Sequence, residues 1–200
     1  MMNTRVSVPT DLPRQSGFNL IEAAIVLGVV GLVIGGIWIA AASVSMKMNT
    51  NAEAQSVLSI VQGMRQLYGP ESYPSAEGGQ NWEMSNLIAA KIVPPTDVDG
   101  SGNLVTKWGG NTVMGILTQK NSSDFAPQGY GILITFQHLN LDQCIGIATA
   151  VAGRASNNDM AALAIGGASF IRSFPADIST IISNCTTQVA SGYVGFYFRP

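Results

Sequence analysis

The side chains able to do chemistry are few and far apart. Glu22 stands at the head of an apolar run: the 24 residues from Ala23 to Met46 carry no charge. A carboxylate beside hydrocarbon is costly to desolvate unless it finds a cation or hydrogen-bond donors, so it marks function by default. Cys144 and Cys185 are the only cysteines and His138 the only histidine. There is no CxxC, and a single histidine leaves a zinc site short of ligands, so no metal centre is expected. His138 has no serine or cysteine nucleophile beside it in a recognisable motif, and the carboxylates of the C-terminal part are scattered singly. Neither a P-loop nor a GxGxxG is present, and Gly153-Arg154 and Gly166-Gly167 read as turns. No catalytic residue and no cofactor is therefore expected; a membrane-anchored hydrolase is the alternative from the enzyme class.

One stretch imitates a cation loop. Asp97-Val98-Asp99-Gly100-Ser101-Gly102-Asn103 puts oxygen side chains at positions one, three and five and a glycine at six. The twelfth position, where a calcium loop needs Glu, is Trp108. A tight turn built of turn-forming residues is the expectation.

The elements that position these residues follow from periodicity. A helix needs roughly 20 apolar residues to cross a bilayer core, so the run behind Glu22 is long enough to span. It contains Gly28, Gly31, Gly35 and Gly36, and Gly31 with Gly35 forms a GxxxG, a spacing that lets two helices approach closely. Glycine is also simply common in membrane helices. No proline occurs between Pro13 and Pro70, so no proline kink is expected. Beyond the span, Val57, Val61, Met64 and Tyr68 recur at helical spacing, with Leu58 and Leu67 beside them and Glu53 and Arg65 on other faces. Gly69-Pro70 is a stop, so one helix from about Leu20 to Tyr68, near 70 Å long, is predicted.

Residues 69–110 are irregular, with a short helix expected over Trp82 to Lys91. Strands are expected over Thr112 to Leu117, Tyr130 to Gln137 and Gly192 to Phe198, the last inside the sheet, and a weak one around Leu163 to Phe170. Leu141 to Val151 reads as a helix carrying Cys144. Pro175 fits the first turn of a helix over Ala176 to Ser183. Strand runs separated by helices argue an α+β class.

The first 17 residues carry Arg5 and Arg14 against Asp11, and Pro9 and Pro13 disfavour a helix there. A secretory signal has its apolar stretch before the cleavage point and discards it; here the apolar stretch lies after Gly17. The positive end is expected to stay in the cytoplasm, and the rest of the chain to face outward. For an outward-facing domain the even cysteine count reads as one disulfide, worth roughly 4 kcal/mol in the chain-entropy model. Lys/Arg and Asp/Glu number 10 and 12. No clustered basic surface suggests nucleic-acid binding.

The combination of a short, weakly cationic leader ending in Gly17, then Phe18 as the first mature residue, Glu22 at the fifth mature position, and the apolar helix behind it, resembles the type IV pilin precursors. The resemblance implies removal of 1–17 by a membrane-embedded aspartyl peptidase that cuts between Gly17 and Phe18 and methylates the new amine of Phe18. It implies a helix over 18–68, transmembrane in 18–46 and amphipathic in 47–68, joined to a globular pilin head over 69–200 built on an antiparallel sheet. It further implies a structural role, with Glu22 pairing with the Phe18 amine of a neighbouring subunit, Gly31 and Gly35 in helix packing, and no enzymatic activity. The implied partners are further copies of the chain in a helical filament, the prepilin peptidase, the assembly machinery of the inner membrane and membrane lipid before assembly, with no nucleic acid bound directly. The implied location is the inner membrane and then an extracellular pilus of a Gram-negative bacterium.

Val93-Pro94-Pro95, Trp108-Gly109-Gly110 before a strand, a helix with the first cysteine, and a second cysteine between a short helix and a terminal strand resemble the type IVb branch. Phe at the first mature position is more usual in the type IVa branch. The alternatives are a type II secretion pseudopilin, whose head commonly lacks such a disulfide, and a minor pilin or adhesin.

Overall fold

The computed structural model describes residues 19–68, 80–81, 84–109, 113–118, 131–167, 169–187 and 192–199. The chain divides into two units, 1–42 and 43–200. In the first, the described residues belong to the opening half of α1 (Leu20–Tyr68). Asn19 caps this helix: its Oδ1 accepts the N–H of Ile21 at 3.3 Å and its carbonyl accepts that of Ala23 at 3.1 Å. Leu27, Leu32, Trp38 and Ile39 are all exposed on it. By length and composition this helix can cross a membrane.

The second unit contains the core. Along the later half of α1, Ala54, Val57, Ile60, Val61 and Met64 are buried, the spacing of one helix face. They pack with the inward residues of an antiparallel sheet and with α3 (Leu141–Ala152) in one cluster. Each fully buried aliphatic side chain of this kind contributes roughly 1.5–3 kcal/mol. Leu58 and Leu67 point outward. Glu53, expected on another face, is 1% exposed; it is buried where the segment at Lys107 folds onto α1 and donates a backbone N–H to it.

Among the described residues the sheet has seven strands: β1 (Gln80–Asn81), β2 (Leu104–Val105), β3 (Val113–Thr118), β4 (Ile132–Gln137), β5 (Met160–Ile165), β6 (Ser169–Ile171) and β7 (Val194–Phe198). The order is β1-β3-β4-β7-β5-β6, with β2 also on β3, and every pairing is antiparallel. The last strand thus sits between β4 and β5, with Phe196 opposite both Ile134 and Leu163. Ile134, Phe136, Leu163 and Phe196 face the core. Leu133, Ala162, Ala164 and Tyr197 form a smaller cluster with the half-buried Phe170 and Tyr193. The fold is the expected α+β class: a long apolar N-terminal helix followed by a domain on an antiparallel sheet.

Three local expectations change. The weak strand around Leu163 is a hairpin, β5 and β6, because Gly166 and Gly167 take φ of 69° and 78° and turn the chain. Pro175 follows a cis peptide and lies before its helix. That helix, α4 (Ile178–Thr187), starts after Asp177, whose Oδ2 accepts the N–H of Thr180 at 3.1 Å. Cys185 therefore lies inside α4. The short helix expected over Trp82 to Lys91 is α2 (Met84–Ala89).

Candidate functional site

Glu22 occupies the first turn of α1 and is exposed. With Asn19 as the cap it stands at the third helical position, where a carboxylate also meets the positive end of the helix dipole. It has no hydrogen bond or ion pair among the described residues. Gly17 and Phe18 lie outside the described residues. A Cβ at Gly28, Gly31, Gly35 or Gly36 would meet nothing within 4 Å. Within the chain, then, Gly31 and Gly35 are not needed for close packing, and the surface they leave is open to another helix.

The head fixes its irregular segments through polar groups. Lys107 donates its backbone N–H to Glu53 Oε1 and pairs through Nζ with Asp97, which is 6% exposed. Burial raises the Glu53 carboxyl above its ordinary range, opposed by the Lys107 hydrogen bond and charge. Trp108 packs edge-on to Phe136 at 6.0 Å between ring centres. Asp97 is thus directed to Lys107, while Asp99 caps its own turn by accepting from Ser101 and Asn103 N–H at 2.9 and 2.8 Å. The Asn103 hydrogen bond is the main reason the Asp99 carboxyl lies below the usual range. The 97–103 stretch is accordingly a side-chain-capped turn. Among the described residues, no three metal-ligating side chains converge.

At the far end of α1, Arg65 donates through Nη2 to the carbonyls of Arg199 and Asp159 at 2.9 and 3.1 Å, tying the helix to the start of β5 and the end of β7. Its only sequence signal was a cation in the last helical turn, where it suits the dipole. Cys144 on α3 and Cys185 on α4 are joined in a disulfide, both sulfur-bearing residues buried. The α3 helix starts on a capping box: Asn140 Oδ1 accepts from Gln143 N–H and Gln143 Oε1 accepts from Asn140 N–H, both at 2.9 Å. His138 is exposed with a φ of 60°, at the corner where Leu139 N–H donates to Gly192 O.

A long apolar helix bearing one carboxylate at its head, followed by a disulfide-linked α+β head with its last strand inside the sheet, is the architecture of a pilin-like protein. The chain belongs to the PilS N-terminal family, a type IV pilin-related family, whose model matches residues 47–193. No curated protein matches the chain.

Proposed function

We propose that this chain is a type IV prepilin, most like a type IVb major pilin. It inserts in the inner membrane, is cleaved after Gly17 and N-methylated on Phe18, and polymerises into an extracellular filament that serves adhesion, aggregation or contact for DNA transfer. It has no catalytic role and takes no cofactor. The observation that carries the reading is the contrast along α1: Val57, Ile60, Val61 and Met64 are buried in the head, whereas Leu27, Leu32 and Ile39 are exposed. Exposing that much contiguous apolar surface to water is unfavourable at about 25 cal/mol per Å². The stretch therefore has another solvent, lipid before assembly and the helices of other copies after it. The pilin-related family match supports the same reading.

The test is terminal analysis of the membrane-bound and fibre-bound forms. A methylated Phe18 N-terminus is expected, and Gly17→Val is expected to keep the chain at full length. A Phe18 terminus in Gly17→Val overturns the processing. Electron microscopy of cells lacking the protein separates the alternatives: loss of all fibres indicates the major subunit, and intact fibres without adhesion indicate a minor pilin.

A further inference from the structure

The turn of α1 that follows the uncharged run borders a groove of about 700 Å³ lined by α1, α3 and the start of α4 with the segment before it. Met46, Ile145 and Ile178 give it apolar walls, and Lys47 and Arg154 give it two cations. Its one carboxylate is Asp142, in the first turn of α3, whereas Arg154 lies just past the other end of that helix. Lys47 and Arg154 are exposed and have no ion-pair partner among the described residues. Thr149 Oγ1, from a third lining residue, is buried with no hydrogen-bond partner among them.

Position along the chain says what meets this groove. A 24-residue helical run is about 36 Å long, against roughly 30 Å of bilayer hydrocarbon. Its last turn, with Met46, then emerges among the lipid headgroups, and Lys47 is the first charge after it. Two cations beside apolar walls at that depth complement an anionic headgroup with its upper acyl carbons.

We propose that this groove binds an anionic phospholipid of the membrane that holds α1. The inference rests on reading residues 23–46 as a membrane span. The lipid would be held by Lys47 and Arg154, and released when the subunit leaves the bilayer.

The test uses the full chain in detergent micelles, with phosphatidylglycerol or phosphatidylcholine of identical acyl chains added, and counts retained lipid by native mass spectrometry. The wild-type chain is expected to retain phosphatidylglycerol over phosphatidylcholine. Lys47→Gln with Arg154→Gln, and Arg154→Gln alone, are expected to lose that preference, the pair by about tenfold or more. Lys91→Gln with Arg172→Gln, cations placed elsewhere on the head, is expected to keep it. Equal retention of the two lipids by the wild-type chain overturns the proposal, as does an unchanged preference in the Lys47→Gln, Arg154→Gln pair. So does a groove that takes a second copy instead, seen as concentration-dependent dimers lost in that pair without any lipid preference. Flotation with phosphatidylcholine vesicles separates the two levels. A chain that does not float overturns the membrane span and the groove together; one that floats without lipid preference overturns the groove alone.

Discussion

Glu53 accepts the backbone N–H of Lys107, and the side chain of the same lysine pairs with Asp97. A carboxylate that is 1% exposed thereby fastens the loop before β3 to α1. Because burial raises the folded-state pKa above the ordinary 4.5, the folded chain holds a proton that the unfolded chain has already lost in the window above that value. Stability then falls as pH rises through the window and is regained on acidification toward 4.5.

Glu53→Gln keeps an acceptor oxygen and removes the titration. Its thermal midpoint is expected to lose that slope while unfolding cooperatively. Glu53→Ala leaves the Lys107 N–H without its acceptor and is expected to cost about 1–3 kcal/mol. Thermal unfolding between pH 4 and 8 checks both; a Glu53→Gln slope equal to the wild type's contradicts the assignment. Asp99 and Asp177 act oppositely. Their carboxyls are held low, by Asn103 N–H and by the Ser179 hydroxyl, so what they contribute is lost below their ordinary 3.8.

The long helix was legible because its two halves obey separate rules, an uncharged run and then a periodic face at Val57, Val61 and Met64. The strands were legible from β-branched and aromatic runs, and the last strand's place inside the sheet from the aromatic, β-rich run of Tyr193 to Phe198. Glu53 was misplaced because its burial is decided by a loop more than fifty residues on, which helical periodicity does not see. Arg65 likewise meets carbonyls that only the folded sheet brings to it. The Gly166-Gly167 hairpin was half legible: the turn is plain from the glycines, but Met160–Ile165 is rich in alanine, a poor strand former, and the returning strand has only three residues. Asn19 as the helix cap is available from an Asn placed three residues before Glu22, a spacing that the charge of Glu22 by itself does not disclose.

The Cys144–Cys185 bond ties α3 to α4 across a separation of 41 residues. The bond leaves neither sulfur as a free thiol, so a thiol reagent is expected to label neither in the untreated protein, folded or denatured. Cys185→Ser is expected to lose roughly 2–5 kcal/mol and to lower the yield of folded protein. Intact mass after alkylation, with thermal unfolding, reads both effects; full labelling of the native protein contradicts the bond.

Gly192 holds the corner that lets β7 enter the sheet. Its φ is 52°, its carbonyl accepts Leu139 N–H at 2.9 Å, and a Cβ there would lie 2.8 Å from that nitrogen. Backbone atoms cannot swing aside as a flexible side chain can. Gly192→Ala is expected to cost about 1–3 kcal/mol or more, from strain at positive φ and from contact with the backbone at Leu139. Gly102→Ala, also at positive φ but with nothing within 4 Å, is the comparison and is expected to cost less. Equal thermal midpoints for the two variants would show that the corner has room.

Glu22 carries the sharpest test of the proposed assembly. It is exposed at the head of a helix whose next 24 residues are uncharged, and it has no partner among the described residues. Cleavage after Gly17 would create an amine at Phe18, four residues before it, and a copy of that amine on every other subunit. In the proposed filament, whose core would exclude water, Glu22 of an incoming subunit would pair with the Phe18 amine of one already placed. That pairing would set the axial step, while the apolar faces would supply most of the cohesion. Removing one partner of such a pair leaves a buried charge uncompensated, at about 3–5 kcal/mol for each contact. Since about 1.4 kcal/mol is a factor of ten, Glu22→Val is expected to be made, inserted and cleaved yet to cut fibre number at least about tenfold. A rival account gives Glu22 only its place in the first helical turn, worth a few tenths to about 1 kcal/mol with the helix dipole. Under that account Glu22→Gln and Glu22→Val both assemble nearly normally. Counting fibres by electron microscopy, with cleavage followed by N-terminal analysis in the same cells, decides between them: wild-type numbers of normal fibres from cleaved Glu22→Val would exclude the pairing.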